Sequence, residues 1–344
     1  MSTATAPGSL PRYIVQRLLL IIPMVWFILT LVFLLMRVAP GDPVSASVGG
    51  RLPEAALDQR REALGLNDPL IQQYWDYLSG VLTLDFGNTI TDNTPITQIV
   101  KENGGATLTL TISAMLLALV VGLPLGLIAG RYRDTPADGG IRIFGIVTYA
   151  APVFYTGLLV QLLFLNVFSG WPLLGQSTPI TEFTVETRTH ILLLDAIIAG
   201  DGDAVIDVLK HLMLPAVTLG LLICGIFIRL TRVNVLQTLQ ADYVEAARAR
   251  GIPERRVVRS HAFRNAMVPV VTIIGLQVAL LLSGAVLTEK TFAWPGLGNQ
   301  LITYIDQRDY AAVQGIITLF AVVVVLISIL IDIVIALIDP RVRY

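Results

Sequence analysis

Six stretches of this sequence run on for about twenty residues without a charge, and they limit its folding more than any other feature. They are Leu18–Met36, Thr107–Gly130, Ile143–Phe168, Leu212–Ile228, Met267–Thr288 and Ala311–Ile331. A helix that crosses a bilayer needs roughly 20 apolar residues, so each stretch reads as one span. Only 14% of the chain is charged, against about a quarter in soluble domains. The fold class is therefore all-α membrane protein with six transmembrane helices. Residues 1–11 read as a disordered N-terminus and 12–38 as a first, uncleaved span introduced by Arg12 and Arg17. Residues 39–106 form an external subdomain. Residues 107–344 form a five-helix core that includes an outer loop, 169–211, and a basic loop, 229–266.

Charge placement orients the chain. Of its 24 Arg and Lys, 15 fall in the segments on one side, whereas Asp42–Glu102 alone carries nine acids and Glu182–Asp207 six. Basic residues near span ends stay cytoplasmic, which puts both termini inside. On the outer side, Leu57–Leu64 and Leu70–Leu82 read as short amphipathic helices, the second carrying the interfacial aromatics Tyr74, Trp75 and Tyr77. His190–Ala199 and Ala204–Leu212, separated by Gly200-Asp201-Gly202, read as two interfacial helices joined by a turn. Lys210 and Arg229 snorkel at the ends of the short Leu212–Ile228 run.

The basic loop is the one long polar segment dense in positive charge, with Arg248, Arg250, Arg255, Arg256, Arg259 and Arg264. Asp242–Arg250 is rich in Ala, Arg and Glu and predicts a helix. Gly251 predicts a left-handed helix stop, and Pro253 the first turn of a second helix. Two short helices joined at a glycine make a compact knob suited to a cleft on a soluble partner.

Several motifs then carry a resemblance. Glu245-Ala246-Ala247, three residues, and Gly251 resemble the EAA loop of ABC-importer membrane subunits. Residues 39–43 (Ala-Pro-Gly-Asp-Pro), 261–265 (His-Ala-Phe-Arg-Asn), 294–298 (Trp-Pro-Gly-Leu-Gly), Arg308-Asp309-Tyr310 and the ending Asp339-Pro340-Arg341-Val342-Arg343 are similar to the oligopeptide/dipeptide/nickel permease subfamily, in order along almost the whole chain. The resemblance implies a type I ABC importer permease fold. It also implies that Asp242, Tyr243, Glu245, Ala246, Ala247 and Gly251 form the element that couples to an ATPase. The implied partners are a second homologous permease in a heterodimer, two ABC ATPase subunits holding ATP and Mg, an extracytoplasmic substrate-binding protein and membrane lipid, with no nucleic acid. The implied location is the cytoplasmic membrane of a prokaryote. Dipeptides, oligopeptides, nickel chelates, glutathione and sugars are the cargo classes of that family.

The sequence carries no G-x-x-x-x-G-K-[ST] loop, so the energy for transport has to come from another chain. His190, His211 and His261 are not spaced for a metal, and the lone Cys224 sits in an apolar run. No catalytic, cofactor or metal residues are expected. Within the spans, Gln161, Asn166, Gln277, Ser283 and Thr218 either bridge helices or line a water-filled path. Asp332, the one carboxylate near a span interior, is expected in an ion pair with Arg229 or Arg232. Trp294-Pro295-Gly296 makes a sharp turn after the fifth span, with Phe292 and Trp294 as amphipathic anchors. It serves either as an outer gate or as a contact for the binding protein. The reading is a membrane-spanning permease subunit of an ATP-driven importer. A passive channel or scaffold without ATPase partners is the alternative, and no filter or charged pore residues support it.

Overall fold

A computed structural model describes residues 10–38, 44–45, 53–63, 65–168, 170–258 and 263–338. The motif segments 39–43, 261–262 and 339–343 lie outside the described residues, as do the side chains of Ser283 and Asp332. Among the described residues these helices follow one another: α1 (Leu10–Val38), α2 (Glu54–Ala63), α3 (Leu70–Thr83), α4 (Ile96–Arg131), α5 (Pro136–Ala150), α6 (Val153–Val167), α7 (Pro179–Thr184), α8 (Leu192–Ala199), α9 (Gly202–Leu239), α10 (Asp242–Ala249), α11 (Glu254–Arg256), α12 (Phe263–Thr291), α13 (Leu297–Asp306) and α14 (Tyr310–Ile338). Among the described residues the only β pairing is an isolated bridge between Asn88 and Pro95. The all-α class holds.

Among the described residues four helices are long and apolar enough to cross a membrane: Leu18–Val38 of α1, α4, α9 and Tyr310–Ile331 of α14. The pair α5 and α6 adds a fifth crossing only if it is counted as one span, because it is bent by 108°. The run Ile143–Phe168 is thus not the single straight span expected from its composition. Pro152 has no N–H to continue the helix and pushes its predecessor out of the helical region. Ala151 accordingly sits extended at φ −76, ψ 132. The run Met267–Thr288 lies inside α12, a continuous helix of 29 residues.

The outer loop also departs from expectation. Its first half forms α8, but Ala204–Leu212 is no separate interfacial helix. The Asp201 side chain accepts from the Ala204 N–H at 3.0 Å, and from this cap α9 runs 38 residues through Pro215 to Leu239. Lys210 lies within the helix and does not mark its end. Likewise α4 begins at Ile96, about three turns before its uncharged run.

The core lies where α4 packs along α9. Gly122, Gly126 and Gly130 fall on one face of α4 at intervals of four, and a Cβ on them would stand 2.8 Å from Phe227 Cβ, 2.6 Å from Thr231 Cβ and 2.9 Å from Val235 Cγ1. Small residues at this period let two backbones approach closely. Leu110, Leu219, Ile223, Phe227, Leu281 and Trp294 fill the same cluster. On the other flank α3 lies against two spans. The hydroxyls of Tyr74 and Thr30 are 2.6 Å apart and those of Tyr77 and Thr318 2.7 Å, while Phe33 packs on both tyrosine rings. Tyr74 and Tyr77 therefore serve as fasteners, and Trp75 stays exposed.

Candidate functional site

The polar knob begins two residues after α9 ends. Asp242 and Glu245 stand in the first turn of α10, where negative side chains favour the positive end of the helix dipole. Arg248 closes its last turn and forks onto Glu254, with Nη2–Oε1 at 2.8 Å and Nε–Oε2 at 3.1 Å. That hydrogen-bonded partner holds the Glu254 carboxyl below its usual range. Gly251 stops the helix at φ +75, in the left-handed region as expected. Pro253 then opens α11.

Val244, Ala247 and Val257 are buried together, with Leu239 and Ile252 packed against them. The knob thus has its own small core. Asp242, Tyr243, Glu245 and Ala246 are exposed on its outside, whereas Ala247 is 6% exposed and points inward. Ala247 cannot be part of a contact face in this arrangement; it supports the face from behind.

At the opposite end of the molecule stands the turn after α12. Phe292 and Trp294, expected as amphipathic anchors of the turn, are 1% and 0% exposed. The reason is polar satisfaction: Trp294 Nε1 donates to the Ala106 carbonyl at 2.9 Å inside the core, so nothing holds the ring at the interface. Pro295 is half-buried and Gly296 buried.

Beneath the turn lies Glu289, a residue that the sequence reading missed. It is fully buried. Thr107 Oγ1 donates to Oε1 at 2.7 Å, and the Asn299 N–H donates to Oε2 at 2.9 Å. The Thr107 hydroxyl in turn accepts from the Leu297 N–H at 2.9 Å. The carboxylate therefore sits at the N-terminus of α13, where backbone N–H groups favour an anion. A Cβ at Gly296 would stand 2.2 Å from Oε1, and one at Gly298 2.9 Å from Oε2. The glycines of the Trp-Pro-Gly-Leu-Gly motif make room for this carboxylate, and that spacing was the signal available in the sequence.

Asp309 is a second buried acid that sequence reasoning left without a role. Its Oδ2 accepts from the N–H groups of Ile90 and Thr91 and from Thr91 Oγ1, at 2.6, 2.9 and 3.0 Å. Its Oδ1 accepts from the Ala312 N–H at 3.0 Å. One side chain thereby caps α14 and pins the outer segment before α4.

The polar residues in the spans part company. Gln161 bridges, its Nε2 donating to the carbonyls of Thr291 at 3.0 Å and Leu173 at 3.3 Å. Asn166 is exposed and donates within its own helix to the Leu162 carbonyl. Gln277 is buried, and its Oε1 has no partner among the described residues; the same is true of Thr218 Oγ1. Arg232, one of the two arginines expected to face Asp332, forks onto Asp138 with both contacts at 2.7 Å. A planar guanidinium matches a carboxylate bidentately, and that fork is already filled. Among the described residues no group of three or more His, Cys, Asp or Glu could hold a metal ion.

Residues 122–344 match the family described as binding-protein-dependent transport system inner membrane component. Residues 10–111 match the N-terminal family of the same membrane components. The chain is 38% identical over 334 residues to the di/tripeptide transport system permease protein DppB of Pseudomonas aeruginosa (strain UCBPP-PA14), covering 96% of this chain and 98% of that protein. It is 37% identical over 339 residues to the dipeptide transport system permease protein DppB of Escherichia coli (strain K12), covering 97% and 99%. To the glutathione transport system permease protein GsiC of Pectobacterium atrosepticum it is 33% identical over 334 residues, covering 97% and 99%.

Proposed function

We propose, because this chain belongs to the family of binding-protein-dependent transport system inner membrane components, that it forms the translocation path of an ATP-driven importer for short peptides. The peptide class is supported by relatives whose names specify dipeptides, tripeptides or glutathione and whose full length this chain covers. In this reading the protein is not itself an enzyme. Two ATPase subunits bind ATP and Mg, a second homologous permease completes the path, and a binding protein delivers cargo from outside. The path lies in a prokaryotic inner membrane with both termini cytoplasmic, and α12 and the bent pair supply the spans that bring the total to six.

The observation that carries the coupling role is the knob. Its exposed Asp242, Tyr243, Glu245 and Ala246 stand on a private core, so a partner's push moves the unit without melting it. Gly251 fixes the angle between its two helices. Closure of an ATPase dimer would carry the knob with it and switch the path between inward- and outward-facing states. Cargo shifts that balance only by its differential affinity for the two.

Glu245→Arg tests this. The variant should insert and assemble normally, because the Glu245 side chain is exposed and makes no hydrogen bond within the knob. In proteoliposomes it should lose the ATP hydrolysis that the loaded binding protein stimulates. Normal stimulated hydrolysis by the variant complex would remove α10 from the coupling path. Failure of ATPase subunits to copurify with the wild-type chain would defeat the importer reading itself.

A further inference from the structure

A cavity of about 590 Å³ opens between α5 and α9, near the end of α9 that leads into the knob. A backbone crossing lies along it. A Cβ on Gly225 would stand 2.2 Å from the Gly145 carbonyl oxygen, so the two helices touch there without side chains between them. The walls are apolar on both sides of the crossing, with Ile146 and Tyr149 on one and Ile226 and Val233 on the other. Three guanidiniums also line the cavity: Arg142 from α5, and Arg229 and Arg232 from α9. Arg232 is neutralised by its fork with Asp138. Arg142 and Arg229 are exposed and make no hydrogen bond or ion pair among the described residues. Asp138, which also feels the Arg142 charge, cannot balance all three cations, so net positive charge borders one apolar space.

Depth agrees with this chemistry. Arg229 and Arg232 precede Leu239, the last residue of α9, by roughly 15 and 10 Å of helix at 1.5 Å per residue. A cation that far along the helix from the polar knob lies at the level of lipid headgroups, where a water-soluble anion would have no apolar part to fill the cavity. We propose that this cavity binds one anionic phospholipid from the leaflet on the knob side. Its phosphate would lie between Arg142 and Arg229, and an acyl chain along Ile146, Tyr149 and Ile226. Basic pockets between spanning helices on the cytoplasmic side take such headgroups, and guanidinium suits phosphate by bidentate hydrogen bonding. The bound lipid would tie α5 to α9 a few turns from the coupling knob. The proposal rests on membrane insertion and not on the identity of the cargo.

Native mass spectrometry of the full chain, delipidated in detergent and titrated with palmitoyl-oleoyl phosphatidylglycerol or phosphatidylcholine, tests it. The wild type should retain one phosphatidylglycerol in preference to phosphatidylcholine. Each arginine contributes about fivefold to anionic-lipid affinity, so Arg142→Gln with Arg229→Gln should weaken phosphatidylglycerol about 30-fold. The pair Arg142→Lys and Arg229→Lys should keep most of the binding, and Arg133→Gln, which removes an exposed cation paired with Asp134, should keep all of it. Ile226→Trp, which fills the apolar wall and leaves the charges alone, should also release the lipid. Equal retention of the two lipids, or unchanged binding by the glutamine pair, would overturn the proposal. So would displacement of phosphatidylglycerol by inorganic phosphate, which would mark a headgroup-only anion site. Displacement by trialanine would overturn it in favour of a peptide carboxylate on the transport path.

Discussion

Glu289 shows at the level of one residue what the outer turn is built to do. The carboxylate makes no ion pair among the described residues, and its oxygens are satisfied by Thr107 and the start of α13. Glu289→Gln places an amide NH₂ where a donor already points, so one buried group is left unmatched at a cost of about 1–3 kcal/mol. A lower unfolding temperature of the variant in detergent checks this; an unchanged one would mean that the carboxylate is neutral and donates. Trp294 is argued the same way. If the packed ring seals the outer gate, Trp294→Ala opens a void beside Ala106 and should raise cargo-independent ATP hydrolysis in the reconstituted complex. If the basal rate stays low while the binding protein docks more weakly, the turn is a docking element. The sequence made the turn legible through its proline and glycines. It did not reveal the burial, because a Trp at the end of a span looks the same whether its N–H meets water or the Ala106 carbonyl. Glu289 was hidden for a related reason: one acid just past an uncharged run reads as a flank until the fold supplies its donors.

At the scale of elements, local chemistry was the dependable guide. The stop at Gly251, the start at Pro253 and the outer helices α2 and α3 were all legible from caps and periodicity. The failures were failures of punctuation: Pro152 broke a run that composition treated as continuous, whereas Pro215 did not end the helix that Asp201 had capped. Gly251 yields a sharp comparison, because nothing lies within 4 Å of where its Cβ would stand. Any penalty there is a pure backbone penalty at φ +75. Gly251→Ala should cost about 1–2 kcal/mol and Gly251→Val more, since a β-branched residue at positive φ is a steric outlier. Coupled ATP hydrolysis should fall in that order, and equal activity of the two variants would show that the knob tolerates another stop. Helix α8 carries a pH signature. Asp195 is buried, which alone would raise its pKa, but the Thr189 hydroxyl and the N–H groups of Thr189 and Arg188 outweigh this and hold it below the ordinary 3.8. A carboxyl depressed by folding stabilises above its unfolded pKa and loses that contribution as pH falls through the folded value. Hydrogen exchange over residues 189–200, corrected for its intrinsic pH dependence, should therefore be flat from neutrality to about pH 4.5 and rise as the pH falls from there through the depressed value. In Asp195→Asn it should already be fast at neutral pH.

For the whole molecule, the hydrophobic runs gave class and approximate layout, since lipid demands long apolar helices whatever their neighbours. How the outer segments attach could not be read, because that depends on partners far apart in sequence. Asp309 joins residues 90 and 91 to the head of α14, and no local pattern announces such a link. Asp309→Ala should free the segment near Ile90 and make it open to protease in sealed right-side-out vesicles, and a cleavage pattern like that of the wild type would count against the link. Arg232 taught the same lesson, since its nearest acid by depth in sequence was Asp332 and its partner in space is Asp138. The longest helix holds a further consequence. At 38 residues, α9 is about 57 Å from end to end, and α4 is fitted so closely along it that the two must swing together. One tip leads into the polar knob and the other into the turn after α8. A stiff rod pivoting near its middle behaves as a seesaw, so a tilt of about 10° would throw each tip some 5 Å in opposite directions. What happens at one membrane surface would then be felt at the other by leverage, with no relay of side chains in between.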